Sequence, residues 1–283
     1  MSTSNLDQVR SPVLHVRVEQ GVAWVRVDNP PINLLDMRLS RELDAATRTL
    51  AESADVRVIV FESAVPDYFI SHADLTLLQR ARDAGVYADT TRLGFYQQVL
   101  ERLRTMSKVT IGVVEGRARG GGAEFTLALD MVFVSPDARF SQMEVLVGIN
   151  PGGGGAQYLA RKAGRSRALE VCLGGADITA DLAVAYGYAN RVLPQAELRP
   201  FVERLARTIA SCPVQAIADN KANIVAAEPP VEPGMLDAYR RFAALVAQPE
   251  FDRRVAAFLA AGGHTADGER DDPAALAERL TSA

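Results

Sequence analysis

The chain has 283 residues, 48% of them apolar and 23% charged, a balance that suits a globular protein large enough for a sizeable core. A formal net charge of −4 and a sequence pI near 5.5 argue against nucleic acid or an anionic membrane as the main partner. Two cysteines, Cys172 and Cys212, with no CxxC, exclude a disulfide scaffold or a zinc site and read as buried free thiols.

Met1 to Pro12 is polar and contains Asp7, unlike a signal or transit peptide. No apolar stretch reaches the roughly 20 residues of a membrane span, so a cytoplasmic location is expected. Val13 to Val18 and Val22 to Val27 alternate around Glu19-Gln20-Gly21, which reads as a β-hairpin. Asn29-Pro30-Pro31 ends its second strand, because proline removes a ladder donor. Leu39, Leu43, Ala46 and Leu50 recur at helical spacing behind a possible cap, Asp36. Val56 to Phe61 and Val109 to Val114 read as buried strands, and Pro66 to Ala73 as irregular. From about Thr90 to Met106 a helix is expected, with Phe95, Val99, Leu100 and Leu103 on its packing face.

Gly120-Gly121-Gly122 opens an apolar helix that runs to about Leu129, and Met131 to Val134 is a strand again. Gly152 to Gly155 precede a helix through Leu159. From Ser166 the chain reads mainly as helices punctuated by Pro194, Pro213, Pro229, Pro230, Pro233 and Pro249. Strands and helices alternate to about residue 193 and helices follow, so the fold class is α/β with a helical C-terminal extension. A recurrence of strand, small-residue turn and helix is visible but too loose to establish a repeat.

Three segments carry residues suited to chemistry. The first is Gly120-Gly121-Gly122-Ala123-Glu124. Glycines at a helix N-terminus let a ligand oxygen approach free N–H groups at the positive end of the helix dipole. It matches neither GxGxxG with its ribose-binding acid nor GxxxxGK[ST], which speaks against nucleotide binding by those routes. The second is Phe140-Ser141-Gln142-Met143-Glu144, where a carboxylate amid apolar neighbours needs a partner or a raised pKa. Two carboxylates converging on one site can hold a water and act as base and acid. The third is Tyr68-Phe69-Ile70-Ser71-His72-Ala73-Asp74-Leu75, after the strand Val56 to Phe61, with His72 a possible base. Spacing alone equally allows a plain glycine turn and a loop-bridging Glu144, and a lone histidine such as His72 is more often structural. His15 and His264 read as bland, no cluster has metal-ligand spacing, and no GxSxG is present.

In this order these segments resemble the enoyl-CoA hydratase/isomerase family, the crotonase superfamily. Asn29-Pro30-Pro31-Ile32-Asn33 is similar to its early NxPxxN-type segment, and Ser71 to Leu75 to its S-A-G-A-D-L stretch. Gln142-Met143-Glu144 resembles Q-P-E, Pro151 to Gln157 resembles P-G-x-G-G-x-Q, and Asp177 to Pro194 resembles the later A-x-x-x-G-x-V-x-x-V-x-P segment. The resemblance implies a crotonase-like ββα superhelix. Residues 1–195 would form the spiral core, 196–262 a helical oligomerisation region and 263–283 a polar tail. It also implies that a coenzyme A thioester is substrate, with no permanently bound cofactor and no metal. The thioester oxygen would meet the backbone N–H groups of Ala73 and Gly121, each such donor typically worth roughly 10²–10³ in rate.

Glu124 and Glu144 match the two glutamates of the hydratases. By resemblance, Glu124 would activate water for attack at Cβ and Glu144 would deliver a proton to Cα, in syn addition to a 2-enoyl-CoA. Ser71, His72, Asp74, Leu75 and Thr76 would contact substrate or CoA. An isomerase or other enolate-forming enzyme, and a non-catalytic scaffold subunit, are the alternatives. A homo-oligomer, a trimer or dimer of trimers, is implied, with neither nucleic acid nor membrane as partner. Phe242, Leu245, Val246, Val255, Phe258 and Leu259 fit a packing face within or between subunits. The chain departs from the pattern at His72 (usually glycine), Thr76 (often lysine), Glu115 (often asparagine) and Met143 (usually proline). The ending Phe258 to Gly263 also lacks the lysines often found there.

Overall fold

The computed structural model describes residues 13–281, and the reading of Met1 to Pro12 lies outside the described residues. The hairpin forms where the alternation places it. β1 (Leu14–Glu19) and β2 (Val22–Val27) pair antiparallel, Leu14 opposite Val27 and Glu19 opposite Val22. In α1 (Met37–Glu52) the Asp36 carboxylate accepts the Leu39 N–H at 2.8 Å, satisfying one of the helix's free donors. Leu39, Leu43, Ala46 and Leu50 are buried along one face, as their spacing predicts.

Strand–strand–helix turns then stack on the hairpin. β3 (Val58–Ser63), β5 (Val109–Val114) and β7 (Met131–Val134) extend β2 in parallel. After each comes a short strand that crosses to a second sheet: β4 (Tyr68–Ile70), β6 (Arg117–Arg119) and β8 (Arg139–Ser141), again parallel. With β9 (Ile178–Thr179) and β10 (Arg191–Val192), the sheets run β1-β2-β3-β5-β7-β10 and β4-β6-β8-β9. The chain returns from one turn to the next through α2 (Leu75–Asp83) and α3 (Phe95–Thr105), then α4 (Gly121–Ala128), then α5 (Gly155–Ala163), α6 (Arg165–Gly174) and α7 (Ala180–Ala185). This is the expected ββα spiral. Its central strands are covered on both faces, which is why they read as unbroken apolar runs. One face of the larger sheet meets the main core. Against the other lies α8 (Gln195–Ala210), whose Leu198, Val202, Ala206 and Ala210 pack on Val58, Val60, Ile111 and Val113.

Several expectations need correction. Pro66 to Ala73 is not irregular throughout, since β4 lies within it; a three-residue strand is too short to show a period. The helix expected from Thr90 starts at Phe95. Asp89 accepts the Thr91 N–H at 3.0 Å and its hydroxyl at 2.6 Å, a local turn that competes with helix. Phe95 itself is 47% exposed. Cys212 is exposed and Cys172 only partly buried, so the thiols are free but not core residues.

The C-terminal helices α9 (Val214–Ala226), α10 (Glu232–Val246) and α11 (Pro249–Ala260) follow α8. Phe242, Val246, Val255 and Phe258 are buried inside this chain, against Leu75 and a 3₁₀ turn at Glu144–Val147. Residues 264–272 fold back onto β6 and the loop after β4. α12 (Ala274–Thr281) then buries Leu276 and Leu280 in the same cluster as α11.

Candidate active site

The N-terminus of α4 meets the loop after β4. Gly122 packs so closely on that loop that a Cβ would stand 1.8 Å from the Ile70 carbonyl oxygen. The loop is pinned from its other side. Leu35 and Ala73 form a parallel bridge in which the Leu35 N–H donates to His72 O and the Asp74 N–H donates to Leu35 O, each at 3.1 Å. Such a bridge leaves the Ala73 N–H unused. Because the peptide is trans, that N–H points opposite to the His72 carbonyl, away from Leu35. Gly121 is the first residue of α4, where an N–H has no partner within the helix. The two stretches adjoin, with Ala73 N 3.7 Å from the position of a Cβ on Gly121.

Both residues line a cavity of about 230 Å³ that Glu124 and Glu144 also line. Its remaining wall is largely apolar and aromatic, including Met143, Tyr87, Tyr96, Tyr239 and Phe242. Glu124, in the first turn of α4, is held by the glycine run before α5. Gly153 and Gly155 each donate an N–H to its Oε1 at 2.8 Å. A Cβ on Gly153 would lie 2.6 Å from Oε2, so only glycine lets this backbone come so near. Loss of solvent pushes the Glu124 carboxyl up to about 7, and the two amides offset this only in part. Glu144 begins the 3₁₀ turn beyond β8. Burial first, then the charge of Glu124, raise its carboxyl well above the usual range. With its amide turned to satisfy both ends, Gln142 donates to the Glu144 carboxylate at 3.1 and 3.2 Å. Two such groups share protons as a pair, one able to give while the other takes.

Of the other residues singled out by sequence, His72 and Leu75 line the cavity, whereas Ser71, Asp74 and Thr76 do not. Asp74 caps α2, accepting the N–H groups of Thr76 at 2.9 Å and Leu77 at 3.2 Å. The His72 ring is committed elsewhere. Its Nε2 lies 2.8 Å from Glu269 Oε1 and its Nδ1 2.9 Å from Ala73 O, so it is not a free base. Sequence reasoning missed Tyr96, whose hydroxyl donates to Gly121 O at 2.7 Å. It also missed Gln97, which is 1% exposed and donates to Gly152 O at 3.0 Å and Met235 O at 3.2 Å. A glutamine on the packing stripe of α3 was the available signal, since buried amides are there to hold something.

A larger cavity, about 550 Å³, lies beside α9 and is lined by Leu127, Leu129, Ile217 and the Asp130–Lys221 pair. That pair is closed at 2.8 Å, and Lys221 also donates to Leu103 O and Lys108 O. It lacks the juxtaposed acids and unbonded amides of the first cavity, where the chemistry-bearing groups gather. Among the described residues no group of His, Cys, Asp and Glu is arranged to hold a metal ion, and no helix is long and apolar enough to cross a membrane.

Comparison with known proteins agrees with this arrangement of elements. The chain is 30% identical over 199 residues to a short-chain-enoyl-CoA hydratase of Clostridium acetobutylicum, covering 68% of this chain and 73% of that protein. It is 30% identical over 194 residues to a fatty acid oxidation complex subunit alpha of Vibrio vulnificus, covering 66% of this chain but 27% of that protein. A crystal structure from Streptomyces avermitilis, given provisionally as an enoyl-CoA hydratase, superposes with a TM-score of 0.88 at 38% identity, over 96% of this chain and 99% of that one. The model of the enoyl-CoA hydratase/isomerase family matches residues 17–259. On sequence and fold together, the chain belongs to the enoyl-CoA hydratase/isomerase family of the crotonase superfamily.

Proposed function

We propose that the protein is an enoyl-CoA hydratase that adds water to the α,β double bond of a 2-enoyl-CoA thioester. The observation that carries this reading is the placing of two buried carboxylates, Glu124 and Glu144, on one cavity with the unbonded N–H groups of Ala73 and Gly121. The thioester oxygen would sit between the two amides, which are fixed before any charge develops there and so stabilise an enolate at no cost of reorganisation. Glu124, titrating near neutral pH and oriented by Gly153 and Gly155, would take a proton from water as it attacks Cβ. Glu144, kept protonated by burial and by its neighbour's charge, would deliver a proton to Cα. Both act on one face of the substrate, which makes the addition syn.

Incubation with a panel of linear, branched and aromatic 2-enoyl-CoA esters, read by mass, tests the assignment. A gain of one water is expected for at least one member. A product of unchanged mass with a moved double bond would replace hydration by isomerisation, and an inert panel with folded protein would favour a non-catalytic subunit. A homo-oligomer, trimer or pair of trimers, is part of the same reading. It is supported by the large apolar residues left exposed on α6, α7 and α9, namely Leu169, Leu173, Leu182, Val214 and Ile224. Light scattering at micromolar concentration is expected to give at least three times the chain mass, and a monomer would refute it.

A further inference from the structure

The segment that folds back after α11 ends on the loop that presents Ala73. His72 is 4% exposed and Glu269 1%. Both ring nitrogens of His72 face oxygen atoms, Ala73 O at 2.9 Å and Glu269 Oε1 at 2.8 Å, an arrangement that an imidazolium paired with a Glu269 carboxylate satisfies with both of its N–H groups. Glu269 is held in turn. Its Oε1 also accepts the His264 N–H at 2.7 Å, and its carbonyl accepts from Arg119 Nη1 at 2.6 Å. Arg119 makes a two-pronged bond to Asp177, at 2.9 and 2.6 Å, and donates to Asp271 O at 2.8 Å. Tyr68 donates its hydroxyl to Ala266 O at 2.9 Å. The edge of Phe258 closes the remaining side of the His72 ring, 5.4 Å between centroids.

We propose that the 264–272 segment is a strap that fixes the oxyanion site, with Glu269 a positioning residue acting through the His72 imidazolium on the Ala73 peptide. The proposal rests on Ala73 being an oxyanion donor, as read above. The ring clamps the Ala73 carbonyl, in the Ala73–Asp74 peptide, while the Leu35 bridge holds the His72–Ala73 peptide that carries the Ala73 N–H, so both planes flanking the Ala73 Cα are fixed. His72 Cβ also lies 2.9 Å, and Glu144 Oε1 3.3 Å, from the position of a Cβ on Gly120. The clamp therefore stands directly beside the catalytic pocket. Misplacing a donor by about 1 Å costs on the order of 10²-fold in rate, so a partial loosening is expected to cost about tenfold.

Charge keeps the clamp closed. Burial alone would drive the proton off His72, but the Glu269 charge and hydrogen bond outweigh it and raise the His72 pKa. Burial would likewise raise Glu269, and the imidazolium prevails and lowers it. The other titratable and charged groups around the pair include His264, with its ring 5.5 Å from that of His72, Asp74 beside His264, Arg119 with Asp177, Tyr68 bonded to the strap, and Glu144 across Gly120. Burial first, then the His72 charge, lower the pKa of His264, whose Nε2 accepts the Leu75 N–H at 3.4 Å. Because the folded pKa of His72 is raised, the clamp's contribution is complete below the ordinary histidine range and is lost as pH climbs through the raised value.

The test compares wild type, Glu269→Ala and Glu269→Gln as full chains. Melting is followed by circular dichroism, and kcat and KM are measured on a crotonyl-type CoA ester across pH. The absorbance shift of a bound chromophoric enoyl thioester reports carbonyl polarisation without turnover. Glu269→Ala should lower kcat about tenfold with KM within about twofold, and shrink the shift. Glu269→Gln, which keeps an acceptor but no charge, should restore most of kcat at low pH and move the alkaline limb of its profile downward. A folded Glu269→Ala with unchanged kcat, shift and pH limb would overturn the strap. A wild-type protein that binds the chromophore without shifting it would instead remove the oxyanion reading, and the strap with it.

Discussion

Glu144→Gln is expected to lower turnover of a crotonyl-type CoA ester by at least about 10²-fold, since an amide of the same shape can neither deliver nor recover a proton. The substitution leaves the 3₁₀ turn and its backbone bonds alone, so KM should change little. It should also stabilise the fold in alkaline solution. A buried carboxyl with a raised pKa favours the folded state below its ordinary value near 4.5, and that contribution fades as pH climbs through the raised one. At pH 8 the wild type therefore carries the cost of two buried acids on one cavity, and Glu144→Gln relieves it. Lost turnover together with a higher melting temperature at pH 8 is the expected signature, the familiar exchange of stability for activity at a working site. A variant that keeps near-wild-type turnover would sink the hydratase mechanism. Those steps of the wild-type pH profile that come from Glu124 and Glu144 will belong to the pair and not to either acid alone.

How far the sequence discloses all this depends on range. The hairpin and α1 stand where periodicity puts them, and β5 and β7 where unbroken apolar runs do, because the first two bury the face that their apolar residues mark and the last two are buried nearly throughout. β4, β6 and β8 carry three residues each, with Arg117, Arg119 and Arg139 among them, and no local pattern distinguishes such strands from loop. They exist because the parallel neighbour supplies the hydrogen bonds. The candidate site divides the same way. Glu124 at a helix start and Glu144 in an apolar stretch are visible locally. That Gly153 and Gly155 hold the Glu124 carboxylate is a tertiary fact, which recasts an anion-binding glycine run as the cradle of the protein's own acid. Glu269 is the extreme case. One acid of several in a stretch rich in Asp, Glu and Arg reads as solvated, yet it is among the most buried charges of the molecule.

Gly122→Ala is expected to destabilise the fold by more than about 3 kcal/mol, beyond the usual range for an added methyl group. A Cβ there would stand 1.8 Å from Ile70 O, 2.6 Å from Ile70 C and 3.0 Å from Ser71 O, all backbone atoms. No rotamer change relieves such a contact, so strand or helix must move. β4 is tied into its sheet by pairing with β6, and Ser71 donates its N–H to Asn33 O at 3.2 Å. α4 is buried along its whole length. Any molecules that do fold must part α4 from the loop after β4, which moves Gly121 away from Ala73. Activity should then fall by more than the folded fraction explains. Urea unfolding, with kcat corrected for the folded fraction, measures both effects. Gly174→Ala is the control, since nothing lies within 4 Å of a Cβ at that position. It is expected to be neutral or to stabilise by less than about 1 kcal/mol. Equal midpoints for the two variants would mean that the helix start does not press on Ile70, and the juxtaposition of the two amides would lose its structural cause.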